Sequence, residues 1–579
     1  MRRLGSALVL SLLLCHAASW TSGPQITTFP SDVDDTDQPF GLYVPKDYDP
    51  GRKYPLILML HGTLSDHRTD LKRLFGKPII SNDFRGASGM WPRFREVDFI
   101  VITPHARGPL GYSGIAEKDI WDLVDHVKHQ FNIDEDRIYA TGIGLGGGAA
   151  IWLALSRPGT FAAIMPVSPI PLPFTDDLLP NAQNLPIKVI QGTADPLAKP
   201  QDTRALVHRL RESGAQIEYV ELPGVRHNAW EQAYRDASAF DWFAARKRDA
   251  YPNQVVLSSA TYERGRAFWL RFVNLTPGTT AHANARFTAR KQLEITTRNL
   301  NAFALDLAGH PQASGPGPIS LTVDGTKLTA TAARPINLSR TAKSWTLRAD
   351  PPDPGQKAPG SEGPIAAAIA SKHLYVYGTL DSPTPEETLR RRDVAQKAAD
   401  WDRNKTEMLV SFRVLSDAEV RPTDRKGANL ILFGTRETNK LVAELAPQLP
   451  LHLSPAAADY GLLYITPLDG KRYALISSGL PWWTRVDQLE IGGRRVVPAP
   501  FQLLSRFGDF ALYRGKGDQV LINGHFTPSW KLSPADAEAF RATGVVSVVT
   551  DPQGTIRSKP NAEKRLDHRD HRPRRQLPR

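Results

Sequence analysis

Between residues 24 and 250 the sequence keeps a rhythm that few folds satisfy: short, β-rich apolar runs alternate with longer stretches of helical spacing. The apolar runs fall at 56–60, 99–103, 137–141, 163–167, 187–191 and 217–222, and most are bounded by Gly or Pro. Helical patterns separate them at 119–131, 146–156, 201–213 and 229–243. Strands that are apolar along their whole length are buried on both faces, and parallel strands need a crossover, which the helical stretches supply. The alternation predicts an α/β domain over 24–250, a doubly wound, mostly parallel sheet with helices on both faces.

The pattern then changes. From 251 to 350 short strands recur with turn signals, as at 268–273, 293–297 and 319–323 just before Asp324-Gly325. That predicts a small antiparallel β-sandwich. Residues 351–364 are rich in Pro, Gly and Ser and read as a linker. Buried-looking strands return at 373–377, 429–433, 462–465 and 473–477, with helical patterns at 385–404 and 439–445, which predicts a second, smaller α/β domain over 365–550. With 41% hydrophobic and 23% charged residues, such cores can be built and wholesale disorder is excluded. The 43 Gly and 47 Pro follow no short period, which excludes collagen-like and solenoid readings.

Both termini stand apart. Arg2 and Arg3 precede an apolar run over 4–14, followed by the small residues Ala17, Ala18 and Ser19, so residues 1–19 read as an export signal. No later stretch approaches the roughly 20 uninterrupted apolar residues of a membrane-crossing helix. The single cysteine, Cys15, lies in that signal, and a lipoprotein reading is poor because Leu14 stands where a small residue is wanted. The expected mature protein is therefore free of cysteine, without disulfides or thiolate metal sites, and periplasmic or secreted. Part of the net charge of +12 sits in a basic tail over 551–579, which reads as a solvated end, with no specific nucleic-acid partner expected.

The chemistry is concentrated in the first domain. The strand 137–141 runs into Gly142-Ile143-Gly144-Leu145-Gly146, and Gly147-Gly148-Ala149-Ala150 continues as a helix. This is the strand–turn–helix frame of a G-x-S-x-G nucleophile elbow with glycine, Gly144, at the nucleophile position. Asp195 follows a later strand and His227 follows the last one, in the order nucleophile, acid, base. Upstream, the strand 56–60 ends in His61-Gly62-Thr63, whose backbone N–H groups and that of Leu145 are placed to form an oxyanion hole.

Several motifs together make residues 38–234, about a third of the chain, resemble the α/β-hydrolase domain of secreted esterases near the prolyl-oligopeptidase and polyhydroxybutyrate-depolymerase groups. They are Pro39-Phe40-Gly41-Leu42-Tyr43-Val44-Pro45, the His61-Gly62 turn, Asp134-Glu135-Asp136-Arg137-Ile138-Tyr139, and the His227-to-Trp230 ending. The resemblance implies a serine at position 144, with His227 as its base and Asp195 orienting the imidazole. Here the attacking oxygen is missing. Loss of such a serine costs a factor on the order of 10⁶ in turnover in a serine protease. Glycine also adopts the positive-φ elbow freely, where any other residue is strained. The expectation is a degenerate hydrolase domain that binds a small-molecule ester, peptide or glycan, without cofactor or metal. The alternative is an active ester or peptide hydrolase that uses His227 and Asp195 with a water or another nucleophile.

Other chemistry-bearing residues read as structural. Ser113, Ser156 and Ser168 are the serines nearest in sequence; Ser168 is the best placed but reads as a turn serine before Pro169. Thr141 should point into the core. His105, His126, His129 and His208 lack metal-ligand spacing, and Asp119 and Asp122 read as helix-opening carboxylates that favour the dipole. Gly142 to Gly147 resembles a dinucleotide loop only superficially, because other strands precede it. The turn from Gly434 to Asn439 reads as a capped strand-to-helix connection rather than an anion site, and Trp482, Trp483 and Trp530 as packing residues rather than sugar platforms.

Overall fold

The computed structural model describes residues 20–63, 65–78, 91–173, 175–348, 355–402, 408–491 and 494–549. The expected export signal with Cys15 and the basic tail 551–579 lie outside the described residues.

Eight strands form the first sheet: β1 (Gly23–Pro30), β2 (Asp37–Val44), β3 (Tyr54–Leu60), β4 (Ile100–Pro104), β5 (Ile133–Ile143), β6 (Ala163–Val167), β7 (Ile187–Gly192) and β8 (Ile217–Leu222). Their order is β1-β2-β4-β3-β5-β6-β7-β8. β1 and β2 form an antiparallel hairpin, β2 pairs antiparallel with β4, and every pairing from β4 to β8 is parallel. This is the mixed sheet of an α/β-hydrolase fold, the predicted doubly wound sheet with an antiparallel edge added. The apolar runs read from the sequence leave the hairpin out: β1 is a partly exposed edge strand, whereas β2 is an inner strand buried from Phe40 to Val44.

Side-chain alternation explains the layers. On β3, Leu56, Leu58 and Leu60 face one core with Ile120 and Val124 of helix α2 (Ile115–Gln130) and Ile151 and Leu155 of helix α3 (Leu145–Ser156). Ile57 and Met59 face the other, with Leu71 and Leu74 of helix α1 (His67–Leu74) and with Phe240 and Phe243. Helix α4 (Pro200–Glu212) joins the first layer through Leu206, Val207 and Leu210. The helix expected over 229–243 is instead broken into Trp230–Ala233, a 3₁₀ turn and Ser238–Ala244. Asp236 (φ 53°) and Ala237 (φ 58°) are left-handed there, which no α-helix accommodates.

Residues 254–348 form two facing five-stranded sheets around one apolar core. The pairings are antiparallel except that Gln292–Arg298 and Ile319–Val323 run parallel, a departure from the expected all-antiparallel sandwich. Between them the chain crosses to the opposite sheet as Leu300–Leu305 and returns in the same direction. The expected linker is packed in its described part. Lys357 and Ser361 are buried, Lys357 forms an ion pair with buried Asp509, and the Glu362 carboxylate accepts the backbone N–H groups of Tyr262 and Glu263.

The last sheet has seven strands. Val414–Ser416, His373–Tyr377, Asn429–Phe433 and Arg472–Gly479 run parallel, and Tyr460–Asp469, Phe510–Arg514 and Val520–Gly524 extend them antiparallel. The helix expected over 385–404 ends at Ala399. This unit shares a core with the first sheet's loops: Val33 and Ile115 lie fully buried among Ile365, Tyr375 and Trp482.

Candidate active site

The elbow is where the sequence placed it. β5 ends at Ile143, and α3 starts at Leu145. Gly144 between them has φ 58° and ψ −115°, a conformation strained for any residue with a Cβ. It is held by three backbone bonds: its N–H donates to Val167 O (3.0 Å), and its carbonyl accepts from Gly148 (3.0 Å) and Ile170 (2.9 Å).

The surroundings of position 144 are specific. A Cβ built on Gly144 would lie 3.0 Å from His227 Nε2 and 3.3 Å from its Cε1, with nothing else within 4 Å. The opposite ring nitrogen, Nδ1, is 2.8 Å from Asp195 Oδ2. Asp195 is buried, and its other oxygen accepts the N–H groups of Leu197 (2.9 Å) and Ala198 (3.0 Å). The structure thus brings together three of the predicted residues, Gly144, His227 and Asp195, with the imidazole oriented by a carboxylate and its Nε2 facing the position of a Cβ on Gly144. That arrangement can take a proton at Nε2 and stabilise the resulting imidazolium through Asp195.

The Gly62-Thr63 turn, expected to supply oxyanion donors, lies against the elbow. A Cβ on Gly62 would sit 3.2 Å from Ile143 O. The Gly62 carbonyl accepts from Ser65 N–H (3.1 Å), so across the planar trans peptide the Thr63 N–H faces the other way. Leu145, the third expected contributor, is the first residue of α3, where N–H groups have no partner earlier in the helix.

Three wall residues escaped the sequence reading. Ser65 Oγ donates to buried Asp70 (2.5 Å), and Arg73 donates to both Asp70 (2.7 Å) and Ser65 (2.8 Å). The Arg73 guanidinium also lies 4.4 Å from the Trp230 ring centre, and Trp230 meets His227 edge-on at 6.1 Å. This network joins the oxyanion turn to the histidine loop. It carries no motif, and α1, which holds Asp70 and Arg73, is a short helix of eight mostly polar residues. Nearby, burial pushes the His67 imidazole down to about 4, so it is neutral at pH 7.

The remaining candidates fall elsewhere. Ser168 is fully buried with φ 44°, Ser156 is buried at the far end of α3, and Ser113 is exposed; among the described residues none bonds to His227. Thr141 points into the core, donating to Met165 O (2.5 Å). Asp119 and Asp122 do not open a helix: α2 starts earlier, at Ile115, so both lie beyond its first turn. Asp119 is buried against Arg107 and Ser31, and Asp122 pairs with Lys118 at 2.7 Å. At Gly434 to Asn439, Asn439 caps a six-residue helix with its own side chain. Trp482 is buried and packs on Phe433. Among the described residues no group of three or more His, Cys, Asp or Glu is placed to hold a metal ion, and no helix is long and apolar enough to cross a membrane.

Comparison with known proteins bears on this region. The Esterase family profile matches residues 120–290, from within α2 into the sandwich. A stretch of 136 residues is 28% identical to dipeptidyl-peptidase 5 of Porphyromonas gingivalis, covering 21% of this chain and 18% of that protein. The chain therefore spans under a fifth of that relative's length. Among solved structures, a thermostable esterase is similar over 39% of this chain and 63% of its own (23% identity, TM-score 0.32). A ferulic acid esterase is similar over 39% of this chain and 99% of its own (17% identity, TM-score 0.32). The first sheet with its elbow is an α/β-hydrolase fold, and its matched segment is similar to the Esterase family.

Proposed function

We propose that this chain is an exported protein of esterase or peptidase type whose hydrolase site has kept its frame and lost its attacking oxygen. Gly144 holds the vacated nucleophile position, His227 and Asp195 are the retained base and orienter, and the N–H groups of the Gly62-Thr63 turn and Leu145 are the oxyanion donors. The site binds a small-molecule ester, peptide or glycan without turning it over at an enzyme's rate. The domains are proposed at 24–250, 251–350 and 365–550, behind an export signal at 1–19.

The observation that carries this reading is what faces position 144: a Cβ there would come within 3.0 Å of His227 Nε2, close enough that the ring shifts slightly to admit it. Only the His227 ring lies within 4 Å of a Cβ placed there, with Asp195 behind it. The same intact pair favours one second reading, in which a water positioned by His227, or a serine elsewhere, attacks the ester. A fluorophosphonate probe separates the nucleophile forms. The wild-type chain is expected to stay unlabelled, and Gly144→Ser to be labelled at position 144 only while His227 is present. Labelling of the wild type at another residue, lost in His227→Ala, would replace the first reading with the second.

A further inference from the structure

We propose that the C-terminal α/β unit is a positioning element for the oxyanion turn, acting through the backbone carbonyl of Leu409. That carbonyl enters the hydrolase unit, accepting from Arg107 Nη1 (2.7 Å), Gln38 Nε2 (3.0 Å) and Thr36 Oγ1 (3.4 Å). Leu409 is left-handed, with φ 51°, and its side chain is 43% exposed. Strain at a leucine whose side chain packs little is explained by what its carbonyl does.

Arg107 is the receiving group, and its side chain is 0% exposed. Nε donates to Asp119; Nη1 to Asp34 and Leu409 O; Nη2 to Asp34 (3.0 Å) and Ser31 (2.8 Å). All five N–H donors of the guanidinium are thereby used. Ser411 N–H also donates to Asp34 (2.9 Å), so two residues of the C-terminal unit complete one buried ionic cluster. Withdrawal of the Leu409 carbonyl leaves that Nη1 donor only the long contact to Thr36 Oγ1 (3.4 Å), a poor exchange for a buried cation that favours rearrangement of the cluster.

Arg107 lies in the loop that supports the oxyanion turn. Ala106 (φ 47°) and Arg107 (φ 59°) are both left-handed, a backbone maintained by the contacts around it. The carbonyl of His105 in this loop is 3.0 Å from His61 Nε2, and Tyr112 OH donates to His61 O (2.7 Å). His61 Nδ1 in turn lies 2.9 Å from the Gly62 carbonyl, whose direction sets that of the Thr63 N–H. A path of contacts runs from Leu409 through Arg107 and the backbone to His105, then through the His61 imidazole to the Gly62-Thr63 peptide. That imidazole carries one N–H when neutral and donates to one of the two carbonyls it faces.

Leu409→Pro cannot hold a positive φ, whereas Leu409→Gly holds it without strain, and the exposed side chain makes neither change a core deletion. Hydrogen exchange in the full-length chain is read over 58–66 and 103–114, with 429–433 as a control for global unfolding. Leu409→Pro, and Arg107→Lys as a second variant, are expected to exchange at least tenfold faster over the first two segments at unchanged control protection, and Leu409→Gly to match wild type. Unchanged exchange in both variants overturns the proposal. The kinetic readout rests on the functional reading above. In a Gly144→Ser background Leu409→Pro is expected to lower kcat at least tenfold with KM within about twofold, because an oxyanion donor acts on the transition state. An unchanged kcat overturns the proposal. An inactive Gly144→Ser chain refutes the functional reading and leaves the exchange result to decide this one.

Discussion

Glycines crowd the elbow at 142, 144, 146, 147 and 148, and they are not equivalent. A Cβ on Gly146 would overlap the carbonyl oxygen of Leu60, and one on Gly148 that of Ile170, so these two positions let the strand, helix and following loop pack backbone to backbone. At Gly144 a Cβ meets only an imidazole. Gly148→Ala is therefore expected to cost more than about 4 kcal/mol, near the limit of what a domain tolerates. Gly144→Ala should cost the strain of its backbone, about 1–3 kcal/mol, with a small shift of the His227 ring 3.0 Å away. Urea unfolding of the two variants checks this, and equal losses would mean that position 144 is as tightly filled as its neighbours. The sequence alone shows five glycines in a motif frame. The frame already singles out Gly144, and the structure adds that a Cβ there would sit 3.0 Å from His227 Nε2. Asp195 and His227 were legible because each follows a strand end in a fixed order; Ser65, Asp70 and Arg73 were not, because their role arises from tertiary contact alone.

Among the elements, the parallel strands were legible to within a residue or two, save that β5 begins four residues early at Ile133, because burial on both faces leaves a continuous apolar run. The edge strand β1 and helix α1 were not, since β1 is partly exposed and α1 is short and mostly polar. The break near Asp236 and Ala237 was hidden for a different reason: neither residue is a helix breaker by propensity, and tertiary packing imposes their left-handed backbones. One strand makes a pH prediction. His373 on His373–Tyr377 is buried, and burial holds its imidazole down to about 4. An imidazole with a folded value below its unfolded 6.5 contributes stability that is present above 6.5 and lost as pH falls towards 4. The loss amounts to roughly 3 kcal/mol across that window. A thermal-unfolding series from pH 7.5 to 4 is expected to show a steeper acid loss for wild type than for His373→Phe; parallel curves would contradict it.

Across the whole molecule, the three units are joined by buried polar contacts as well as by apolar ones. Glu117 of α2 accepts from Trp152 of its own unit (3.1 Å) and from Arg264 of the sandwich (2.9 Å). Lys357, from a segment that reads as a solvated hinge, is buried against Asp509 with its ammonium 4.8 Å from the Trp530 ring centre. Composition marks Pro, Gly and Ser as flexible, and one buried lysine in such a segment leaves no pattern to find. Lys357→Met strands a buried carboxylate and is expected to destabilise the chain by about 3–5 kcal/mol. Differential calorimetry checks both the size and whether the loss falls on all units together; a change below about 1 kcal/mol would mean that Asp509 finds water or another partner.

The most direct test of the central claim is p-nitrophenyl-ester hydrolysis by wild type and Gly144→Ser, each with and without His227→Ala. The expected result is an inactive wild type and a Gly144→Ser variant that gains turnover, lost again in the double variant. On the scale of a serine hydrolase's nucleophile, the full gain is on the order of 10⁶. Turnover by wild type that disappears in His227→Ala would contradict the claim, because the retained pair would then be serving a water or another nucleophile.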